Sequence, residues 1–232
     1  MRDLTGQVVL ITGVSRGIGK AAALQMAAQG ARVYGCARSE TLDLGTADSS
    51  IQYQSLDLVD GSSVSAWVDS IGEKEGRIDV VINNAGILGP RKELDQIEAS
   101  EFQETLEVNV LGTYHVLRAA YRWLKKSSLP RVINLSSSVG RKGRAQWGAY
   151  SVSKFAVEGL TEVAADELGA ANGVVVSLNP GGTATDMRAE AYPDEDQATL
   201  PSAEQVGATI IALLTQLESK DNGTKWSSRD LF

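Results

Sequence analysis

The stretch QVVLITGVSRGIGKAAALQMAAQG, Gln7 to Gly30, sets out a strand, a turn and a helix in that order. QVVLIT (Gln7–Thr12) is a nearly unbroken apolar run, the kind a strand shows when both of its faces are covered. TGVSRGIG follows, with Gly13, Gly17 and Gly19. A turn this tight needs residues without Cβ, so that backbone N–H groups and a helix N-terminus can approach a negatively charged group. The alanine-rich run GKAAALQMAAQG then reads as the helix.

The same alternation continues outward. ARVYGCA, IQYQSLDL, IDVVINNAG, RVINLSS and GVVVSLN read as the second to sixth strands. Helical spacing appears in SSVSAWVDSIGEKEG, over Ser100 to Lys126, over Tyr150 to Leu168 and over Ala203 to Leu217, and a last strand fits around Thr224 to Trp226. Apolar strands alternating with helices imply a parallel sheet covered on both faces, and right-handed crossovers wind it in both directions. We therefore expect a single doubly wound, Rossmann-type α/β domain over residues 1–232, with a sheet of about seven strands. No repeat or linker divides the chain. The polar segment RAEAYPDEDQATLPS, punctuated by Pro193 and Pro201, is expected to be a mobile substrate loop near 186–202. It follows the sixth strand, at the carboxyl ends where open sheets bind ligands.

Composition narrows the function. A formal net charge of -7 argues against nucleic acid, which needs a basic face. The single cysteine, Cys36, excludes an internal disulfide and a thiolate metal site, and reads as a buried structural thiol. The only histidine, His115, lies in a helical pattern without companion ligands, so packing or a hydrogen bond explains it better than a metal. The N-terminus has neither signal-peptide nor membrane-span character, and the expected location is the cytoplasm.

The glycine spacing, G-x-x-x-G-x-G, differs from the G-x-G-x-x-G dinucleotide fingerprint, and strand–helix turns rich in glycine also form for packing reasons alone. The strand before it and the helix after it favour a pyrophosphate, with Gly13, Ser15, Arg16, Gly17, Ile18 and Gly19 as contacts. At the end of the second strand a carboxylate would hold a free ribose hydroxyl. Here Ala37 stands in its place, followed by Arg38, and Arg16 lies in the turn. Two guanidiniums suit a 2′-phosphate, so NADP(H) is preferred over NAD(H), which stays open; the alternative leaves both arginines as solvated surface residues.

In GAYSVSK, Tyr150 and Lys154 stand four residues apart and share a helix face. An ordinary amphipathic helix would also show that pair. Taken together, TGVSRGIG, NNAG (Asn83 to Gly86), Asn109 in EVNVLGTY, NLSSSVG, YSVSK and NPGGTATDM resemble, in order, the motifs of the short-chain dehydrogenase/reductase (SDR) family, from about Gly6 to Met187. The resemblance implies an oxidoreductase exchanging a hydride between NADP(H) and a carbonyl or alcohol. Tyr150 would be the general acid or base, and Lys154 would favour its phenolate and hold the nicotinamide ribose. Bringing a phenol from about 10 to about 7 asks for about 4 kcal/mol, which a desolvated ammonium and the positive nicotinamide ring would supply together. Of the three serines, Ser137 has the family's spacing, thirteen residues before Tyr150 and three before Gly140, and would hold the substrate carbonyl. Asn109 would hold a water that relays protons to Lys154, although a mid-helix Asn with a purely structural role is also common. Asp57 and Leu58 would lie beside the adenine, and Asn83, Ala85 and Gly86 along the cofactor channel. Asn84 would brace the sheet. Pro180, Gly181 and Thr183 would meet the carboxamide, and Thr185 the phosphates.

The family's usual C-terminal tail signature is missing, but pairing of helices 100–126 and 150–168 with their copies still implies a homodimer, with a tetramer open. Ser128 and Asn172 stand where carrier-protein reductases tend to have arginine, which argues mildly against an acyl carrier. The run RKGR (Arg141 to Arg144) is either a solvated loop or a contact for an acidic substrate tail. Trp147 and Ile87 to Pro90 should wall a pocket for an uncharged or hydrophobic carbonyl compound. The alternative function is an NADP(H)-binding redox sensor or scaffold acting through a protein partner, which would have no need of Ser137, Tyr150, Lys154 and Asn109 together. A sugar-nucleotide epimerase or dehydratase would want a further substrate domain, for which roughly 45 residues after Met187 leave no room.

Overall fold

A computed structural model of the chain describes residues 4–41 and 51–231; Met1 to Asp3, residues 42–50 and Phe232, all inside the expected 1–232 domain, lie outside the described residues. Seven strands form one sheet: β1 (Val8–Thr12), β2 (Arg32–Ala37), β3 (Ile51–Ser55), β4 (Val80–Asn83), β5 (Arg131–Leu135), β6 (Val174–Asn179) and β7 (Lys225–Ser227). Their order is β3-β2-β1-β4-β5-β6-β7, and every pairing is parallel. The helices are α1 (Gly17–Ala28), α2 (Gly61–Glu75), α3 (Ala99–Leu106), α4 (Gly112–Leu124), α5 (Gly148–Gly169), α6 (Asp186–Ala191) and α7 (Ala203–Gln216).

Side chains alternate across a strand, so each apolar run feeds two cores. Val9, Ile11, Val80, Ile82, Ile133, Val174 and Val176 pack under α1 and α7, with Met26, Ile210 and Leu214. Val8, Leu10, Val81, Val132 and Val175 pack on the other face, with Trp67, Val116, Leu117 and Leu168 of α2, α4 and α5. The unbroken hydrophobicity of β1 and β5 therefore reflects helices on both sides, and all five residues of each are buried.

The strand order reverses between β1 and β4, which opens a crevice at their carboxyl ends. The glycine turn leaves β1 on one side of it and the Asn83–Gly86 segment leaves β4 on the other. Thr12 ties them together, its Oγ1 accepting from the N–H groups of Asn84 (3.1 Å) and Ala85 (3.0 Å).

Two elements differ from the expectation. The helix expected over 100–126 is α3 and α4 joined by a π turn, Glu107–Leu111. The wider turn inserts one residue into the helical repeat and buries Asn109. The segment 186–202 begins with α6, capped by Thr185, whose Oγ1 accepts from the N–H of Arg188 (3.3 Å). Arg188 forks onto Glu195, and the Arg91 guanidinium donates to the Ala191 carbonyl (2.8 Å).

Candidate active site

At the glycine turn, backbone approaches backbone. A Cβ on Gly19 would stand 2.3 Å from the Gly13 carbonyl oxygen and from Asn84 Nδ2. Gly13 has φ 75°, and a Cβ there would stand 2.9 Å from Ala85 Cα. Asn84 braces this turn, its amide donating to the carbonyls of Thr12 (2.9 Å) and Gly13 (3.1 Å). No side chain caps α1 at Arg16 and no acid occupies its first turn, so the positive end of the helix faces outward uncompensated. Thr185 closes the turn from the other side, its methyl 3.4 Å from where a Gly17 Cβ would be. The cradle fits a pyrophosphate by shape and by charge.

Around it the expected cofactor residues fall into two groups. Arg38 is exposed at the end of β2 and forms no ion pair with a described residue. Arg16 is exposed too, but pairs with Asp186 at 2.9 Å across the mouth of the crevice. Ser15 and Ile18 lie in the turn with it. Gly86 lines the crevice beside Ala85; Gly181 (φ 73°) and Thr183 follow Pro180, whose carbonyl is held by Ser228 Oγ (2.7 Å). Side chains in the second group are used within the protein. Asn83 donates to Asn134 Oδ1 (2.8 Å) inside the sheet, while its own buried Oδ1 has no partner. Leu58 is buried under α4 and its carbonyl meets His115 Nδ1 (2.8 Å), which accounts for the lone histidine. Asp57 accepts from the N–H of Val59 in a local turn. Cys36 is buried, and burial pushes its thiol up to about 12, as a structural cysteine requires.

The residues expected to carry the chemistry lie where α5 meets the ends of β4 and β5. Tyr150 and Lys154 are both buried, and Lys154 Nζ stands 5.6 Å from the Tyr150 ring centre. The ammonium donates to the Leu135 carbonyl at 2.8 Å. A Cβ on Gly86 would stand 3.8 Å from it, so the crevice floor runs directly to the lysine. Asn109 is clamped by Ile87, whose N–H it accepts (2.8 Å) and whose carbonyl it meets (2.9 Å), and by Ser153 Oγ (3.0 Å). The three serines have separate environments. Ser136 is buried on Glu158, Ser138 is exposed, and Ser137 is half-buried, with its Oγ engaged only by the N–H of Val139 at 3.4 Å. Trp147, Leu88, Val139 and Ala191 surround Tyr150 as an apolar wall, with Met187 and Tyr192 against them. A cleft of about 420 Å³ is lined by Gly86 to Pro90 and Met187, with Arg16, Glu101, Glu104, Thr105 and Glu190 as its polar members.

Burial pushes the Tyr150 phenol up to about 12, because desolvation opposes a phenolate in this pocket. Burial also brings Lys154 down to about 8, with the charge of Glu158 resisting. In RKGR, Lys142 to Arg144 are exposed, as a solvated loop would be, but Arg141 turns inward to Glu158 (3.2 Å) and the Trp226 carbonyl (2.8 Å) and is not offered to a substrate tail.

The glycine turn and the buried Tyr150–Lys154 pair thus lie at the same end of the sheet, on the two sides of Gly86. The short chain dehydrogenase family model matches residues 7–196, and the chain belongs to that family. It is 37% identical over 232 residues to the oxidoreductase YciK of Escherichia coli K12, spanning 96% of this chain and 90% of that one. It is 34% identical to the NADPH-dependent pterin aldehyde reductase of Arabidopsis thaliana over 226 residues, 95% of this chain and 92% of that one. A short chain dehydrogenase of Escherichia coli CFT073, solved in complex with NADPH, superposes with a TM-score of 0.91 at 33% identity, covering 98% of each chain. Among the described residues no helix is long and apolar enough to cross a membrane, and no group of three His, Cys, Asp or Glu side chains gathers as a metal site would need.

Proposed function

We propose that this protein transfers a hydride between NADP(H) and a carbonyl or alcohol, working as a ketone or aldehyde reductase. The buried Tyr150–Lys154 pair, lying on one face of α5 beside Gly86, carries this reading. Ser137 Oγ positions the substrate oxygen, Tyr150 gives it a proton, and Lys154 supplies the neighbouring positive charge. The clamp on Asn109 fixes the π turn, whose carbonyl at Asn109 accepts from Thr113 Oγ1 (2.9 Å) and keeps a lone pair for a relaying water. When bound, the cofactor supplies the hydride and, once oxidised, a positive ring.

The glycine turn and Thr185 would hold the phosphates, Arg38 would hold the 2′-phosphate, Ala85 and Gly86 would line the channel, and Pro180, Gly181 and Thr183 would meet the nicotinamide carboxamide. Preference for NADP(H) is supported by the exposed Arg38 and by the NADPH-bound and NADPH-dependent relatives. The apolar wall around Tyr150 suits an uncharged carbonyl compound. Segment 186–202 opens to admit it by releasing the exposed Arg16–Asp186 pair. The protein is a cytoplasmic homodimer in this reading: Cys36 needs no oxidising compartment, and Leu111 and Tyr114 of the π turn and α4, with Val152, Phe155 and Val163 of α5, expose apolar surface. Sedimentation of Phe155→Asp should give a monomer where the unaltered chain gives a dimer.

The deciding experiment follows NADPH oxidation against diketones, aldehydes, quinones and 3-oxoacyl thioesters. Turnover of at least one class is expected. Tight NADPH binding with no turnover of any would move the protein to the sensor or scaffold class.

A further inference from the structure

Glu158 is one helical turn beyond Lys154 on α5 and is almost fully buried. A carboxylate taken out of water needs partners, and this one has three. Ser136 Oγ donates to its Oε1 at 2.5 Å, Ser177 Oγ donates to its Oε2 at 2.7 Å, and Arg141 Nε approaches Oε1 at 3.2 Å. Arg141 also donates to the Trp226 carbonyl at 2.8 Å. The carboxylate thus joins α5 to the ends of β5 and β6, and through Arg141 to β7.

We propose that Glu158 is a positioning residue for the reaction: it fixes the end of β5 that presents Ser137 and the Leu135 carbonyl, and it holds a negative charge behind Lys154. The proposal rests on the hydride-transfer reading above. Its geometry is direct. Ser136, held by Glu158, lies between Leu135, whose carbonyl receives Lys154 Nζ, and Ser137, whose Oγ accepts from the N–H of Val139. One side chain therefore restrains both partners of Tyr150.

The electrostatics point the same way. Lys154 faces Tyr150 and Glu158 from its own helix, and Arg141 from the turn after β5 acts through Glu158. β6 brings the hydroxyl of Ser177, the π turn the amide of Asn109, and the loop after β4 the backbone of Gly86. Burial works to strip the proton from Lys154, and Glu158 is the carboxylate among these groups that opposes it.

The test titrates the Lys154 amine by nitrogen NMR in the full chain without cofactor, with its resonance assigned through its loss in Lys154→Met. In Glu158→Gln the midpoint should fall by about one unit, and in Glu158→Asp it should stay near that of the unaltered chain. Arg141→Gln removes the opposing cation and should move it upward. The basic limb of kcat for NADPH oxidation should follow each shift, with kcat for Glu158→Gln reduced about twofold at pH 7 and close to tenfold at pH 9. A folded Glu158→Gln with lowered kcat but an unmoved Lys154 midpoint would overturn the proposal, leaving Glu158 a structural brace. Should Glu158→Gln not fold, an unmoved midpoint in Arg141→Gln overturns it instead. Midpoints that move as stated in a chain that turns over no carbonyl would uphold the role of Glu158 and sink the hydride-transfer reading alone.

Discussion

The two ends of the strands treat their polar groups differently, although each holds a satisfied carboxylate, Asp79 at the amino ends and Glu158 at the carboxyl ends. At the amino ends of the strands, Asp79 is surrounded by donors: the N–H of Val8 (2.9 Å), Ser127 Oγ (2.6 Å) and Arg77 Nε (2.9 Å). Arg131 is closed off in the same region by the Leu214 carbonyl (2.7 Å) and Gln7 Oε1 (2.8 Å). At the carboxyl ends, the Tyr150 hydroxyl bonds to none of the described residues, Ser137 is held only by a long contact, and α1 begins without a side-chain cap. Satisfied polar groups stabilise a fold, whereas unpaired ones cost stability. In the reading proposed above, the amino ends mainly hold the sheet together and the carboxyl ends carry the chemistry.

Tyr150→Phe should give the largest effect and separate the edges most cleanly. The ring remains packed against Trp147, 5.7 Å away, so the melting temperature should hold or rise. Turnover should fall by about a hundredfold to ten-thousandfold while NADPH still binds. Undiminished activity would remove Tyr150 from the chemistry. Asp79→Ala should do the converse. It strands three donors and should cost about 2 to 3 kcal/mol in denaturant unfolding, with kcat per folded molecule unchanged.

Much of this contrast is legible in the sequence, because strands buried on both faces announce themselves as apolar runs and the cradle needs glycine at fixed positions. The ends of β1 and β4, and hence the place of Gly13 and Gly86, follow from that pattern. The π turn does not: its hydrophobic spacing passes for a continuous helix, and only packing shows the inserted residue that buries Asn109. Arg141 reads as part of a solvated basic run because its partners, Glu158 and the Trp226 carbonyl, are distant in the chain. The direction of the Tyr150 shift also depends on burial, which spacing alone cannot supply. Six residues of α6 are too few to show a helical period inside a polar stretch.

Arg38→Asp probes the carboxyl edge at its rim. It places a carboxylate where a 2′-phosphate would lie, so NADPH affinity should fall by tenfold or more, with NADH weakened less or improved. Equal losses for both nucleotides, measured by fluorescence titration, would mean that Arg38 reads no phosphate.

Ser127→Ala is the finest test of the comparison, because it weakens the amino edge without stranding a charge. The hydroxyl donates to Asp79 Oδ1 and accepts from the N–H of Leu129 at 3.3 Å. Asp79 keeps Arg77 on the same oxygen and Val8 on the other, so the carboxylate stays paired. The loss should be about 1 kcal/mol, which lowers the melting temperature by about 2 to 4 °C in a chain of this size. Neither kcat nor NADPH affinity should move, since β1, β4 and β5 keep their registers between the two edges. A fall in kcat alongside the melting temperature would mean that the sheet transmits the change from one edge to the other, and the division of labour between them would not hold.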